Sequence, residues 1–232
     1  MEAESHDNWQ ILEAYWEGVR EKWERTEQEG GFGYRTYKKR LETVLEGVAT
    51  SLEIGFGDGR WTRFLREQGI DAYGIDMLEN AAKNLKKQGF SPVVADARKL
   101  PFKNNIFDLT YSFGVVEHFE GTEKAILEHI RVTKPGGKIV ITVPYLLSPH
   151  TLYWMFLHMK RGTFKHRPAT FGKRYTRGAL MRILEHFEVE IHRIDPFFFP
   201  LPGLRRIYHD NPVLERMGLM LWAEMTKQQS GK

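Results

Sequence analysis

Ser51-Leu52-Glu53-Ile54-Gly55-Phe56-Gly57-Asp58-Gly59-Arg60 is the stretch on which the fold turns. A largely apolar run carries one acid, three glycines follow at alternate positions, and an amphipathic segment begins at Arg60. Glycines placed directly after a strand serve where the chain turns sharply and where a ligand must reach bare main chain. In open α/β sheets, ligands bind at the carboxyl ends of the strands. The spacing departs from that of a dinucleotide loop, G-x-G-x-x-G, because Gly59 comes only four positions after Gly55.

Downstream, short apolar runs alternate with amphipathic ones. The pattern predicts strands over 49–54, 72–75, 92–95, 107–112 and 138–143, with helices over 60–68, 78–88 and 123–132. Such alternation implies a parallel sheet with helices on both faces. Residues 144–175 break the rhythm: they are apolar, aromatic and basic together, and read as an insertion folding over the sheet's carboxyl edge. A helix over 176–186 and strands over 187–194 and 219–226 follow. Pro196, Pro200, Pro202 and Pro212 mark the stretch between those strands as loop with one short helix. Upstream, Trp9, Leu12, Tyr15, Trp16, Val19 and Trp23 share one face of a helix over 8–29. A break at Gly30, Gly31 and Gly33 separates it from a short helix over 37–45.

The chain has 232 residues, 41% of them hydrophobic, enough for one large domain or a domain with a lid. With no cysteine, disulfides, thiolate metal sites and a cysteine nucleophile are excluded. The first seven residues are acidic and polar, unlike a signal peptide. Near the middle the longest purely apolar run, 152–157, is six residues, whereas a membrane span takes about 20. The expectation is a soluble, cytoplasmic protein. The net charge of +4 hides an asymmetry. Residues 1–30 hold nine acids and three bases, whereas 129–184 hold eleven Lys and Arg and no acid. The basic half suits an acidic partner, or is simply a solvated surface.

Asp76 ends the second strand, 21 positions after Gly55. An acid there can accept from a ribose diol, or cap the next helix. Asp96 ends the third strand and can accept from an adenine amino group while the next amide donates to the ring. A turn or cap role is its alternative. Phe107-Asp108, Glu117-His118 and Lys134-Pro135-Gly136-Gly137 follow.

In this order the set resembles the class I S-adenosylmethionine-dependent methyltransferases, most closely the type 11 branch related to quinone-biosynthesis enzymes. The resemblance covers about residues 45–145, under half of the chain. It implies a Rossmann-like, doubly wound α/β fold with a mostly parallel seven-stranded sheet of order 3-2-1-4-5-7-6. Residues 1–46 would form an N-terminal helical lid, 47–232 the catalytic domain, and 144–175 a substrate cap after the fifth strand. Glu53 and the loop Gly55, Phe56, Gly57 and Gly59 would hold the methionine end of S-adenosylmethionine, the product being S-adenosylhomocysteine. Asp76 would bind the ribose and Met77 would pack beside the adenine. Asp96 and Ala97 would read the adenine edge, and Ser112 and Phe113 would line the site near the sulfonium. Phe56 departs from the family, which more often has a small residue there, and this bears on local packing.

Methyl transfer is an in-line displacement, so the protein must mainly align the reactants and exclude water. A hydroxyl or amine acceptor needs a base. His118 is the candidate, with a role in merely shaping the pocket as its alternative, and Glu117 is equally open. Tyr15, Tyr34 and Tyr37 reach the acceptor if the N-terminal helices close over it, and Tyr145 and Trp154 belong to the cap. No metal is expected: His150, His158 and His166 are spaced by eight with no accompanying carboxylate. The absence of cysteine argues against cytosine C5 as acceptor. Ser112-Phe113-Gly114-Val115 stands where enzymes acting on exocyclic base amines carry Asn/Asp-Pro-Pro-aromatic, which disfavours nucleic acid. Apolar walls beside cations suit a small, partly apolar, acidic acceptor methylated on oxygen or nitrogen. The alternatives are an RNA or protein methyltransferase using the basic insertion, and a non-catalytic S-adenosylmethionine-binding protein. Peripheral contact with a membrane surface fits the insertion too. Both monomer and homodimer remain open.

Overall fold

The computed structural model describes residues 31–161, 172–198 and 216–229. The expected helix over 8–29 with Tyr15, the middle of the insertion and the proline-rich stretch after residue 198 lie outside the described residues. Among the described residues there are thirteen helices and strands. These are α1 (Phe32–Glu42), β1 (Thr50–Ile54), α2 (Arg60–Glu67), β2 (Asp71–Asp76), α3 (Glu79–Lys87), β3 (Val93–Val94) and β4 (Phe107–Phe113). Then come α4 (Thr122–Val132), β5 (Thr133–Pro144), α5 (Pro149–Lys160), α6 (Arg177–Leu184), β6 (Val189–Phe197) and β7 (Met220–Lys227), with one 3-10 turn at Val116–His118.

The seven strands form one sheet of order β3-β2-β1-β4-β5-β7-β6. Only β7 runs antiparallel, pairing with β5 and with β6. This is the Rossmann-like order that the resemblance implied. It reverses direction between β1 and β4, and such a switch point leaves a crevice at the carboxyl ends of the strands. One face of the sheet packs Leu52, Ile54, Ile75, Ile139 and Ile141 against Ala125 and Ile126 of α4 and Leu180 and Leu184 of α6. The other packs Tyr111, Val140 and Trp222 against Tyr37 and Leu41 of α1 and Trp61 and Phe64 of α2.

Three boundaries differ from expectation. α1 starts at Phe32 and runs through Gly33, with Gly31 as its N-cap. Tyr34, Tyr37 and Leu41 fall on one face against α2, and that burial outweighs the roughly 1 kcal/mol helix penalty of one glycine. β5 begins at Thr133, and Lys134-Pro135-Gly136-Gly137 forms a bulge inside the strand. Its partners jump from Phe107↔Thr133 to Leu109↔Lys138, and Gly136 has φ 77°. β6 continues through Pro196 to Phe197; it is the sheet's edge strand, where a proline leaves no ladder bond unmade.

The insertion contributes α5, capped by Ser148, whose hydroxyl accepts from the Thr151 amide at 3.1 Å. Its return docks on the sheet's carboxyl edge. There Tyr175 bridges Tyr145 in parallel, and the Lys173 amide donates to the Glu117 carbonyl at 2.9 Å. Among the described residues no helix is long and apolar enough to cross a membrane.

Candidate active site

Gly55, Gly57 and Gly59 all take left-handed backbone, with φ 77°, 56° and 74°. Two of them are fixed by neighbours: a Cβ at Gly55 would lie 2.5 Å from Val115 Cγ2, and one at Gly59 would strike Leu85. Gly57 differs, because no described residue stands within 4 Å of its Cβ position. Its amide donates to Asp76 Oδ2 at 2.9 Å, and the Leu78 amide donates to Oδ1 at 3.0 Å. The buried Asp76 therefore ties the glycine loop to the end of β2 and starts the chain into α3. The Ala95 amide donates to the Asp76 carbonyl at 3.0 Å, which brings the turn holding Asp96 alongside.

Glu53 lies beneath this loop. Its Oε2 accepts from the Thr62 amide at 2.8 Å, the Thr62 hydroxyl at 2.6 Å and the Tyr111 hydroxyl at 3.3 Å. Burial lifts its pKa to about 8, and the nearby Asp58 charge adds to this while the Thr62 bonds oppose it. At neutral pH the side chain is thus largely a protonated acid clamping the first turn of α2 to β1. Phe56 turns its ring away from the open side, into a cluster with Ala81, Ala82 and Leu85 of α3. Gly74 makes room for it, since a Cβ there would lie 2.9 Å from Phe56 Cδ1. Only the main chain of Phe56 belongs to the loop's ligand side.

Met77 is partly buried against the main core, and Ala97 is buried within it. Asp96 holds Arg98 in a forked pair, Oδ2 to Nη2 at 2.7 Å and Oδ1 to Nε at 3.0 Å. Burial pushes this carboxyl upward, but the Arg98 bonds prevail and keep it below the usual range. The Arg98 guanidinium also lies 4.9 Å from the Phe119 ring centroid. Asp96 is thus a charged corner braced by its own neighbour.

At the end of β4, Ser112 requires a correction. Its side chain is fully buried and faces α4, where its hydroxyl lies 3.0 Å from His129 Nε2. His129 Nδ1 lies 2.7 Å from the Ala125 carbonyl and must donate to it, so Nε2 accepts from Ser112. Burial lowers the His129 pKa to about 4 and keeps the ring neutral. Successive strand side chains alternate faces, so Ser112 points into the core while Phe113 points the other way. The Phe113 ring meets Tyr37 at 4.9 Å and Trp61 at 5.7 Å between centroids. Tyr34 stacks on Trp61 at 5.1 Å.

His118 Nε2 lies 3.7 Å from Glu117 Oε1 on the turn that follows β4. Val115, on the same turn, is the residue packed on Gly55, so this pair is held beside the glycine loop. Tyr145 follows β5 at the same edge and takes the Thr151 hydroxyl on its carbonyl at 3.0 Å. Trp154 lies in α5, and its side chain is outside the described residues, as is Tyr15.

The sequence reading missed Thr62, Arg98 and His129. Thr62 has a usable signal, because it falls in the first turn of the helix opened by the glycine loop. His129 has none: one histidine on an amphipathic helix says nothing of a serine 17 residues earlier. Asp108 works at the opposite edge. It accepts from Thr50 N at 2.9 Å and from Lys134 Nζ at 2.7 Å, stapling β1, β4 and β5.

Comparison with known proteins agrees with this geometry. Residues 52–141 match the family described as a methyltransferase domain. An uncharacterised protein of Methanocaldococcus jannaschii is 34% identical over 109 residues, 46% of this chain and 51% of that protein. Demethylmenaquinone methyltransferase of Renibacterium salmoninarum is 34% identical over 93 residues, 39% of each. The chain spans about half, or less, of the length of these curated relatives. Among solved structures, a chain of the complex between the Haloferax volcanii Trm112 methyltransferase activator and a methyltransferase superposes with a TM-score of 0.71. It is 17% identical and covers 94% of this chain and 98% of that one. Several solved S-adenosylmethionine-dependent methyltransferases share the same architecture, which is the class I fold of those enzymes.

Proposed function

We propose that this chain is an S-adenosylmethionine-dependent methyltransferase acting on an oxygen or nitrogen of a small, partly apolar, acidic acceptor. The observation that carries the reading is Gly57. Its left-handed main chain meets no described residue on its Cβ side, its amide is fixed on the buried Asp76, and both sit at the carboxyl edge of the sheet next to its switch point. That is a cradle built from bare backbone beside a carboxylate, as a nucleoside with an amino-acid tail requires.

In this reading the loop from Gly55 to Gly59, with Glu53 beneath it, holds the methionine end. Asp76 binds the ribose, Met77 packs beside the adenine, and Asp96 with the Ala97 amide reads the adenine edge. Phe113 borders the reacting centre, and Ser112 supports β4 from behind. His118, Tyr34 and Tyr145 face the acceptor. The bound sulfonium supplies an already activated methyl group, so the protein's task is alignment, exclusion of water and removal of the acceptor's proton. The match to demethylmenaquinone methyltransferase supports keeping quinone-type rings among the acceptors.

A second reading has the acid-free stretch over 129–184 engage RNA or a protein side chain. The structural likeness to a methyltransferase solved with the Trm112 activator favours it and adds an activator subunit to the possible partners. The test is calorimetric binding of S-adenosylhomocysteine, followed by its release from S-adenosylmethionine with separated fractions of a cell extract. Release with the low-molecular-mass fraction supports the first reading. Release with RNA or protein fractions supports the second. Binding without release from any fraction leaves only a binding protein, and absence of binding overturns all three.

A further inference from the structure

The turn after β4 holds a group that the cofactor cradle does not use. Glu117 is buried, at 3% exposure, and its Oε2 has no hydrogen-bond partner among the described residues. A buried carboxyl oxygen without a donor is costly, and such a group in a native protein calls for a cause such as a catalytic role or a bound water or ion. Its surroundings are shaped around it. Oε1 lies 3.4 Å from the Cβ position of Gly114, the residue that closes β4, and 3.7 Å from His118 Nε2. Above it passes the return of the insertion, at Gly172. A Cβ there would lie 2.7 Å from Glu117 Cγ and 3.0 Å from His118 Cε1. The cap therefore closes on this pair through a residue without a side chain, with φ 54°. Val115 on the same turn packs on Gly55, which places the pair next to the loop assigned to the methionine end.

We infer that Glu117 receives the proton of the acceptor atom, so that the acceptor presents an O–H or N–H to this carboxyl rather than a carboxylate or a thioether. This rests on the methyltransferase reading above. The acceptor's oxygen or nitrogen gives its lone pair to the methyl carbon. The bond from that carbon to sulfur breaks, and its electron pair stays on sulfur. The acceptor's proton passes to a Glu117 carboxylate oxygen. His118, facing Oε1, orients the carboxyl. Burial raises the Glu117 pKa to about 8, so the carboxylate that accepts the proton is the minor form at neutrality and gains population as pH rises through 8. The titratable groups that the described residues bring to it are His118 on its own turn and Tyr175 on the returning segment, whose hydroxyl feels the Glu117 charge, while the Lys173 ammonium turns to the Glu120 carbonyl; Met220 of β7 is apolar.

The experiment compares wild type, Glu117→Gln and Gly172→Ala in two assays. The first is calorimetric binding of S-adenosylhomocysteine. The second is the pH profile of S-adenosylhomocysteine release with whole cell extract as the source of acceptor. Glutamine mimics the protonated acid, so the fold and nucleoside affinity of that variant should stay within twofold of wild type. Its turnover should fall at least a hundredfold and lose the rise that wild type shows as pH passes about 8. Gly172→Ala should lower turnover with nucleoside affinity intact. Equal turnover and an unchanged profile in Glu117→Gln would overturn the assignment while leaving the methyltransferase reading in place. Wild type that binds the nucleoside yet forms no product would overturn the assignment together with the methyltransferase reading, leaving only a binding protein. Failure of wild type to bind the nucleoside would instead remove the reading on which it rests.

Discussion

At the scale of single residues, Gly57 and Asp76 carry different parts of one device. Replacing Gly57 by alanine meets no atom of the described residues within 4 Å, so its cost to folding is the left-handed backbone alone, about 1–2 kcal/mol. The new methyl group would stand in the space assigned to the cofactor. Gly57→Ala should therefore lower the unfolding midpoint by a few degrees, yet weaken S-adenosylhomocysteine binding tenfold or more by calorimetry. An affinity loss no larger than the stability loss would place the cofactor elsewhere. Asp76→Ala removes the anchor of two amides and the acid assigned to the ribose. Hydrogen bonds to a charged group contribute about 1.5–3 kcal/mol each, so affinity should drop at least tenfold, and unchanged affinity would refute the assignment. Both residues are legible in the sequence because the main chain constrains their type: a left-handed turn asks for glycine, and amides at a strand end ask for an acid. Ser112 was misread because its role depends on which face of β4 it occupies and on His129, a partner that spacing does not reveal.

Between neighbouring elements, compensation replaces rule. Phe56 departs from the small residue expected in the loop, and Gly74, Ala81 and Ala82 supply the missing volume on β2 and α3. Phe56→Ala should then open a cavity and cost about 3–5 kcal/mol in chemical unfolding, the usual range for a buried phenylalanine. A loss below about 1 kcal/mol would mean that α3 collapses onto the loop. The staple at the far edge makes the complementary case. Asp108→Ala frees the Thr50 amide and the Lys134 ammonium and should destabilise by about 2–3 kcal/mol, with nucleoside affinity unchanged since the site lies at the other end of the strands. Outside the insertion, strand and helix types were readable from periodicity, whereas α5 was not read from it. The ends of α1, β5 and β6 were not, because tertiary burial carried α1 through Gly33, a bulge absorbed Gly136 and Gly137, and an edge position tolerated Pro196.

For the molecule as a whole, the strand order follows from alternating elements and a family likeness, but the charge state of the interior does not, since it depends on what is buried together. Burial raises Glu53 and Glu117 from an ordinary 4.5 to about 8, and lowers His129 from 6.5 to about 4. Between pH 4.5 and 8 the folded chain keeps carboxyl protons that the unfolded chain has released, so these two groups make stability fall as pH rises. His129 acts in the opposite sense. Below pH 6.5 the unfolded chain takes up a proton that the folded chain refuses, so its contribution is lost as pH falls toward 4. The opposing slopes partly cancel below pH 6.5. Above it, among the described residues, the two carboxyls set the slope, each with up to about 1.4 kcal/mol per pH unit. Asp96, Asp108 and Glu128 sit below their usual range and lose their contribution only in more acidic solution. The unfolding midpoint of the nucleoside-free protein should therefore decline steadily from pH 6.5 to 8, and the double variant Glu53→Gln, Glu117→Gln should flatten that decline. A midpoint that holds level or climbs over this interval in the wild type would mean that both carboxyls are already ionised in the folded chain. The proton acceptor assigned to Glu117 would then work at a lower pH than its burial implies.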